Sequence, residues 1–298
     1  MSSWGRHKVS WAAWSMVLPA LIVLAVFFFV PVLAAFVLSF SDFDLYALAD
    51  WHHLRWVGLS NYVDLLLRPL FWKALANTLY FVVLGVPLSI GVSLLAALSL
   101  NSPLLRFKGL WRTLMFAPVV TTLVAVAVVW KYFFHYEYGV VNQFTAWLGL
   151  APIDWLGNPR WSMLTIVIFA AWKNFGVNMV ILLAALQAIP EDLYEAARMD
   201  GAGLWRQFIH ITIPMLAPSL LMVSVLTMAG YFQLFAEPYV MTQGGPLQST
   251  VSVLYLMYDE GFKWWNLGQA CAVAVVLFAI ILVATQSLRR LAFAQESA

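Results

Sequence analysis

Polar side chains are few in this 298-residue chain, and those set inside apolar runs are the first candidates for chemistry. One run carries Trp172, Lys173, Asn174 and Asn178. Another carries Thr227, Tyr231 and Gln233, with Glu237 near its outer end. At helical periodicity Asn174 and Asn178 share a face, and so do Thr227 and Tyr231. Aromatic faces with amide and hydroxyl groups suit a sugar, whose ring face is apolar and whose rim is polar. The plain alternative is hydrogen bonding between packed helices, or, for Lys173, snorkelling to an interface. Catalytic readings fare poorly. No His/Cys/Asp group has ligand spacing, His52–His53 has no suitable partners, and no Ser-His-Asp arrangement is suggested. His210 reads as a packing or headgroup residue. The single cysteine, Cys271, excludes an internal disulfide and reads as a small buried hydrophobe.

Charge concentrates in one stretch, Ile189–Pro214, which holds Glu191, Asp192, Glu195, Arg198, Asp200 and Arg206. Pro190 stands where a helix can start, and Glu191 and Asp192 favour its N-terminal dipole. Leu193, Ala196, Ala197 and Met199 predict a helix of about three turns with a small-residue face. Gly201 and Gly203 permit a tight turn, and a second helix runs toward Pro214 and Pro218. Such an element can dock in a cleft of a soluble partner and transmit rigid-body motion; a solvated connector is the simpler reading.

These residues need elements to hold them, and composition says where those elements lie. The chain is 63% hydrophobic and 10% charged, with mean hydropathy +0.85; a soluble domain carries roughly 25% charged residues. About 20 apolar residues span a bilayer, and six such stretches are present: 13–39, 74–100, 110–133, 163–188, 215–235 and 267–288. Arg6 and Lys8 resemble the charged end of a signal peptide, but the apolar run after them is too long for one, so it is expected to stay as a helix. With both termini inside, nine Lys/Arg fall in inner segments and six in outer loops, the direction of the positive-inside rule. Gly85, Ser89, Ser93, Ala96 and Ala97 form a small-residue stripe that predicts a packed face. Pro19, Pro31 and Pro87 mark possible kinks. An interfacial helix is expected near Val141–Leu148, and Gly244-Gly245-Pro246 signals a turn.

Glu195-Ala196-Ala197, three residues, Gly201 and the trailing Ile211-Thr212-Ile213-Pro214 resemble the EAA motif of binding-protein-dependent ABC importer membrane subunits. Gly58 to Tyr62, Gly157-Asn158-Pro159 and Gly244 to Thr250 resemble the carbohydrate branch. Within it, the chain is similar to the first membrane subunits of sugar and glycerol-phosphate importers, and to the core of the maltose importer's larger membrane subunit. The resemblance covers nearly the whole chain. It implies an all-α integral membrane protein of the type I ABC importer fold: one permease domain over 1–298, with six transmembrane helices and a cytoplasmic coupling helix within 190–213. It implies ATPase coupling through Glu195, Ala196, Ala197, Asp200 and Gly201. Asn174, Thr227 and Tyr231 fall where the maltose subunit contacts its sugar, with mostly different side chains.

The implied partners are a second homologous permease subunit, two ATP-binding subunits, an extracytoplasmic solute-binding protein, the sugar and membrane lipid, with no nucleic acid. The chain lacks a phosphate loop, so it is expected not to be an enzyme and to bind no cofactor itself, with ATP and Mg held by the ATPase subunits. The expected location is the bacterial cytoplasmic membrane, multi-pass, both termini cytoplasmic. The alternatives are import of glycerol phosphate or another polyol, with Lys173 balancing the anion, and a stand-alone secondary transporter.

Overall fold

Lipid offers no partner for backbone polar groups, so a spanning segment must satisfy its own. In the computed structural model, which describes residues 11–50, 52 and 54–296, each of the apolar stretches is accordingly helical. His53, Trp51, Arg6 and Lys8 lie outside the described residues. Five helices are long and apolar enough to cross a membrane, and a bent pair makes a sixth if taken as one span, among the described residues.

The first span is α1 (Trp11–Leu24), a π-helical turn (Ala25–Phe29) and α2 (Val30–Leu38). Its π turn has a local cause. Pro31 has no N–H and its ring crowds the carbonyl four residues back. The ladder therefore widens just before it, with the Val30 N–H donating to the Ala25 carbonyl. The same device recurs before Pro214, where α11 (Leu204–Gln207) passes through a π turn (Phe208–Thr212) into α12 (Ile213–Tyr231).

By contact the chain divides into two compact units, residues 1–67 with 257–276 and residues 68–256 with 277–298. In the first, α3 (Leu45–Ala49) is capped by Asp44, and α4 (Ser60–Leu67) supplies a buried Asn61. The Asn61 amide donates to the Ser39 and Ser41 carbonyls at 2.9 and 2.8 Å. Asp42 pairs with Arg55 at 2.7 Å.

The second unit holds α5 (Pro69–Asn101), α6 (Lys108–Val120), α7 (Leu123–Phe133), α8 (Val140–Trp147), α9 (Pro159–Gln187), α10 (Glu191–Met199), α11, α12 and α13 (Ala236–Met241). The helices α14 (Val253–Tyr258) and α15 (Leu267–Glu296) run across the division. The most extensive packing is α5 on α9, and the small-residue stripe is what permits it: Gly85, Ser89, Ser93, Ala96 and Ala97 are in or beside this interface, all five buried. The Ser93 hydroxyl points to the Ser89 and Phe175 carbonyls at 2.6 and 3.0 Å. Beyond it lies a core of Leu100, Met179, Leu182, Leu216 and Val223.

Two expected spans are corrected. The stretch 110–133 is not one helix: α6 and α7 are bent by 99° at Thr121–Thr122. α6 ends at Val120, so the carbonyls of its last turn lack helical partners and find side-chain donors. Thr121 Oγ1 donates to the Pro118 carbonyl at 2.6 Å, and Lys173 Nζ to that of Val119 at 3.2 Å. Gly176 lets α6 approach α9, since a Cβ there would stand 2.8 Å from Val119 Cγ2. The helix that carries the fifth span begins at Leu204, not 215, and ends at Tyr231. The helix expected after Gly203 is its first turns, not a separate element, because the π turn absorbs Pro214 without a break.

Candidate functional site

A cavity of about 360 Å³ opens between α5, α9 and α12 and the segment entering α13. Each wall follows from helical spacing. On α9, Asn174, Asn178 and Ile181 recur at intervals of four and three residues; on α12, Thr227 and Tyr231 stand one turn apart. Phe81 of α5 closes one side, and Gln233 and Glu237 come from beyond α12.

The polar groups are partly paired with one another. Asn178 Nδ2 donates to Thr227 Oγ1 at 2.9 Å, a bond between α9 and α12. Asn178 keeps its carbonyl oxygen, and Thr227 its own hydroxyl proton, for other partners. Tyr231 is 5% exposed and its ring packs on Phe81 at 4.9 Å. That position depends on Gly85, where a Cβ would lie 2.7 Å from Tyr231 Cε2. The Tyr231 hydroxyl has Ser89 and Asn174 as polar neighbours, yet neither it nor Ser89 Oγ is closed by a hydrogen bond of normal geometry. Gln233 sits past the helix end, donating to the Ala229 carbonyl at 3.1 Å. Burial pushes the Glu237 carboxyl above its ordinary range, opposed by the Lys173 ammonium.

Two expected solute contacts are not brought to this cavity. Trp172 turns toward the bent span, its ring 5.0 Å from that of Trp130. Lys173 caps α6 as described, 7% exposed. Both follow from the 100° turned per helical residue: once Asn174 faces the cavity, its two predecessors face α6 and α7. Glu237, in contrast, deserved more weight. The signal was its position as the one acidic residue between Glu195-to-Asp200 and Asp259.

The second expected site is α10 and its exit. Glu191 and Asp192 stand in the first turn, Glu195 and Ala196 are exposed, and Ala197 is half-buried. Asp200 takes the C-terminal position and Gly201 follows with φ +75°, a left-handed conformation that ends the helix and suits glycine. Gly203, with φ −70°, needs no such freedom. Side chains then tie α10 to the fifth span: Tyr194 Oη to Thr212 Oγ1 at 2.9 Å, and Gln207 Nε2 to the Ala202 carbonyl at 2.7 Å. Around this charged helix Met199, Leu204 and Trp205 are 88%, 86% and 71% exposed. His210 lies beside a shallow cavity with Ala197, Ala202 and Arg206.

Residues 89–294 match the family of binding-protein-dependent transport system inner membrane components. The chain belongs to this family. It is a permease subunit of an ABC importer, a multi-pass protein of the inner membrane. Among its relatives, the lactose transport system permease protein of Rhizobium radiobacter is 38% identical over 91% of this chain and 90% of its own length. The arabinooligosaccharides transport system permease protein of Bacillus subtilis is 33% identical over 89% of this chain and 83% of its own. In fold, the permease is similar to a chain in the crystal structure of a bacterial alginate ABC transporter, with TM-score 0.79 at 23% identity, covering 93% of this chain and 92% of that one. The type I importer fold expected from the motifs is thus the one observed.

Proposed function

We propose that this permease carries a sugar of di- or oligosaccharide size through the cavity at Asn174, Asn178, Thr227 and Tyr231, and that ATPase subunits drive it through Glu195, Ala196, Ala197, Asp200 and Gly201. One observation carries the reading. A single helical span of 28 residues, Leu204–Tyr231, starts at the α10 exit and ends in the cavity wall. At 1.5 Å per residue it is a rod of roughly 40 Å. A displacement of α10 therefore reaches Thr227 and Tyr231 without crossing a loop. The relatives named for lactose and arabinooligosaccharides support a sugar as the solute.

The working complex contains a second homologous permease subunit, two ATP-binding subunits that hold ATP and Mg, and an extracytoplasmic binding protein that delivers the sugar. Residues 1–298 form one permease domain with both termini and α10 cytoplasmic. ATP binding closes the ATPase pair and turns the cavity outward; hydrolysis resets it.

The test is ATP-driven uptake by the assembled complex in proteoliposomes. Asn174→Ala and Tyr231→Ala should cut uptake while ATPase subunits still co-purify. Glu195→Ala should cut uptake together with stimulated ATP hydrolysis. Normal uptake in assembled Asn174→Ala and Tyr231→Ala complexes would remove the cavity assignment, and normal coupling in Glu195→Ala the docking assignment.

A further inference from the structure

Among the residues lining the cavity, Glu237 carries the one formal charge, and no cation lines it. The nearest candidate is Lys173, which precedes the lining residue Asn174. It is 7% exposed and its ammonium donates to the Val119 carbonyl at 3.2 Å. That carbonyl belongs to the last turn of α6, where helix carbonyls lack helical partners and the dipole is negative. Lys173 is thus hydrogen-bonded to the broken span, and it acts on Glu237 through charge without lining the cavity. Freeing it would orphan a carbonyl at membrane depth, which costs several kcal/mol in hydrocarbon. The other polar lining groups, Asn174, Asn178, Thr227, Tyr231 and Gln233, are uncharged.

We infer that Glu237 sets the charge selectivity of the pathway: the cavity takes uncharged sugars and disfavours anionic ones, such as uronates and sugar or polyol phosphates. The inference rests on the reading of this cavity as the solute path. A carboxylate accepts hydrogen bonds from sugar hydroxyls, and such charge-assisted bonds are stronger than neutral ones. Toward an anion it has only repulsion. For like charges about 6 Å apart at an effective dielectric of about 20, the discrimination is on the order of a hundredfold, and roughly tenfold where water screens the pair. In the glycerol-phosphate alternative Lys173 balances the anion, but its ammonium donates to the Val119 carbonyl and does not line the cavity.

The test reads the charge of the cavity without knowing the sugar. In the assembled transporter with Cys271→Ser, the permease's own cysteine is gone, and Asn174→Cys places a thiol in the cavity wall. Its reaction rates with a trimethylammonium and a sulfonate methanethiosulfonate reagent are compared across a pH series, because burial raises the Glu237 carboxyl and the filter acts only where it is ionised. Relative to a free thiol, the cation-to-anion rate ratio should be raised roughly a hundred- to ten-thousandfold, since the cation is attracted and the anion repelled by the same factor. Glu237→Gln should bring it back toward that of the free thiol. If the thiol reacts but the ratio is that of a free thiol, or does not respond to Glu237→Gln, the charge filter is wrong while the open cavity stands. A thiol that reacts with neither reagent would overturn both the filter and the solute-path reading. Should Glu237→Gln not assemble, the ratio with Glu237 in place decides by itself.

Discussion

The cavity wall and the α10 exit invert each other's surroundings. Around the cavity, amides and hydroxyls are set among apolar helices at membrane depth, where polar groups are costly unless they face a cavity or partner, with the Glu237 carboxyl beyond the end of α12. At the α10 exit, Met199, Leu204 and Trp205 are exposed beside charged residues. Each is an unfinished surface of opposite kind. The wall lacks partners for polar atoms, as the unclosed Tyr231 hydroxyl shows, and so suits a hydroxylated solute. The exit lacks cover for apolar atoms, and so suits a protein. The Leu204–Tyr231 helix has one end in each.

The two regions should therefore respond to different substitutions. The largest effect is expected at the exit. Trp205→Ala removes an exposed aromatic of the type that anchors interfaces, with an expected loss of about 2–4 kcal/mol in ATPase docking. Co-purification of the ATPase subunits should fall sharply while thiol labelling of the cavity is unchanged; intact co-purification would break the contrast.

Next comes Gly85→Ala in the wall. Its Cβ would meet the Tyr231 ring at 2.7 Å, and overpacking of this kind costs about 1–3 kcal/mol. Uptake should fall roughly tenfold with ATPase docking retained. Unchanged uptake would mean that the Tyr231 position is not critical.

Gly201→Ala should be milder. Nothing stands within 4 Å of the added Cβ, so the cost is that of φ +75° alone, about 1 kcal/mol. A small drop in thermal stability with weaker ATPase coupling is expected, and no change in either would argue against a strained turn.

Tyr231→Phe is the smallest and has the opposite sign for stability. Removing a buried hydroxyl without a closed hydrogen bond should leave thermal stability equal or higher by up to about 1 kcal/mol, while sugar uptake falls. Loss of stability would show that the hydroxyl is bonded within the protein.

Much of this arrangement was legible in the residues, and the exceptions have a common cause. Spacing alone placed Asn174 with Asn178 and Thr227 with Tyr231, because a helix fixes which side chains share a face. The Gly85–Ala97 stripe announced a close helix interface for the same reason. Interhelical bonding and a place in the cavity wall are compatible: Asn178 and Thr227 bond each other and line the cavity together. The break at Thr121–Thr122 was hidden, because hydropathy stays high through it and says nothing of direction. What holds it is Lys173, more than 50 residues away in sequence. Lys173 and Trp172 were misplaced for the same reason. Sequence gave their helix but not the angle at which α9 meets α6 and α7, and that angle is set by contacts such as Gly176 against Val119. The π turn likewise let the helix of the fifth span start eleven residues before its apolar boundary.

The account stands on the helix that joins the two regions, and breaking it midway tests it most directly. Met222 is 56% exposed on α12, between the α10 exit and Thr227, and Met222→Pro would interrupt the rod there. Uptake and ATP hydrolysis should be measured in the same proteoliposomes. The account predicts ATPase subunits still bound and hydrolysing, with sugar moved per ATP down at least about tenfold. An assembled complex that keeps its ratio of sugar to ATP would contradict it.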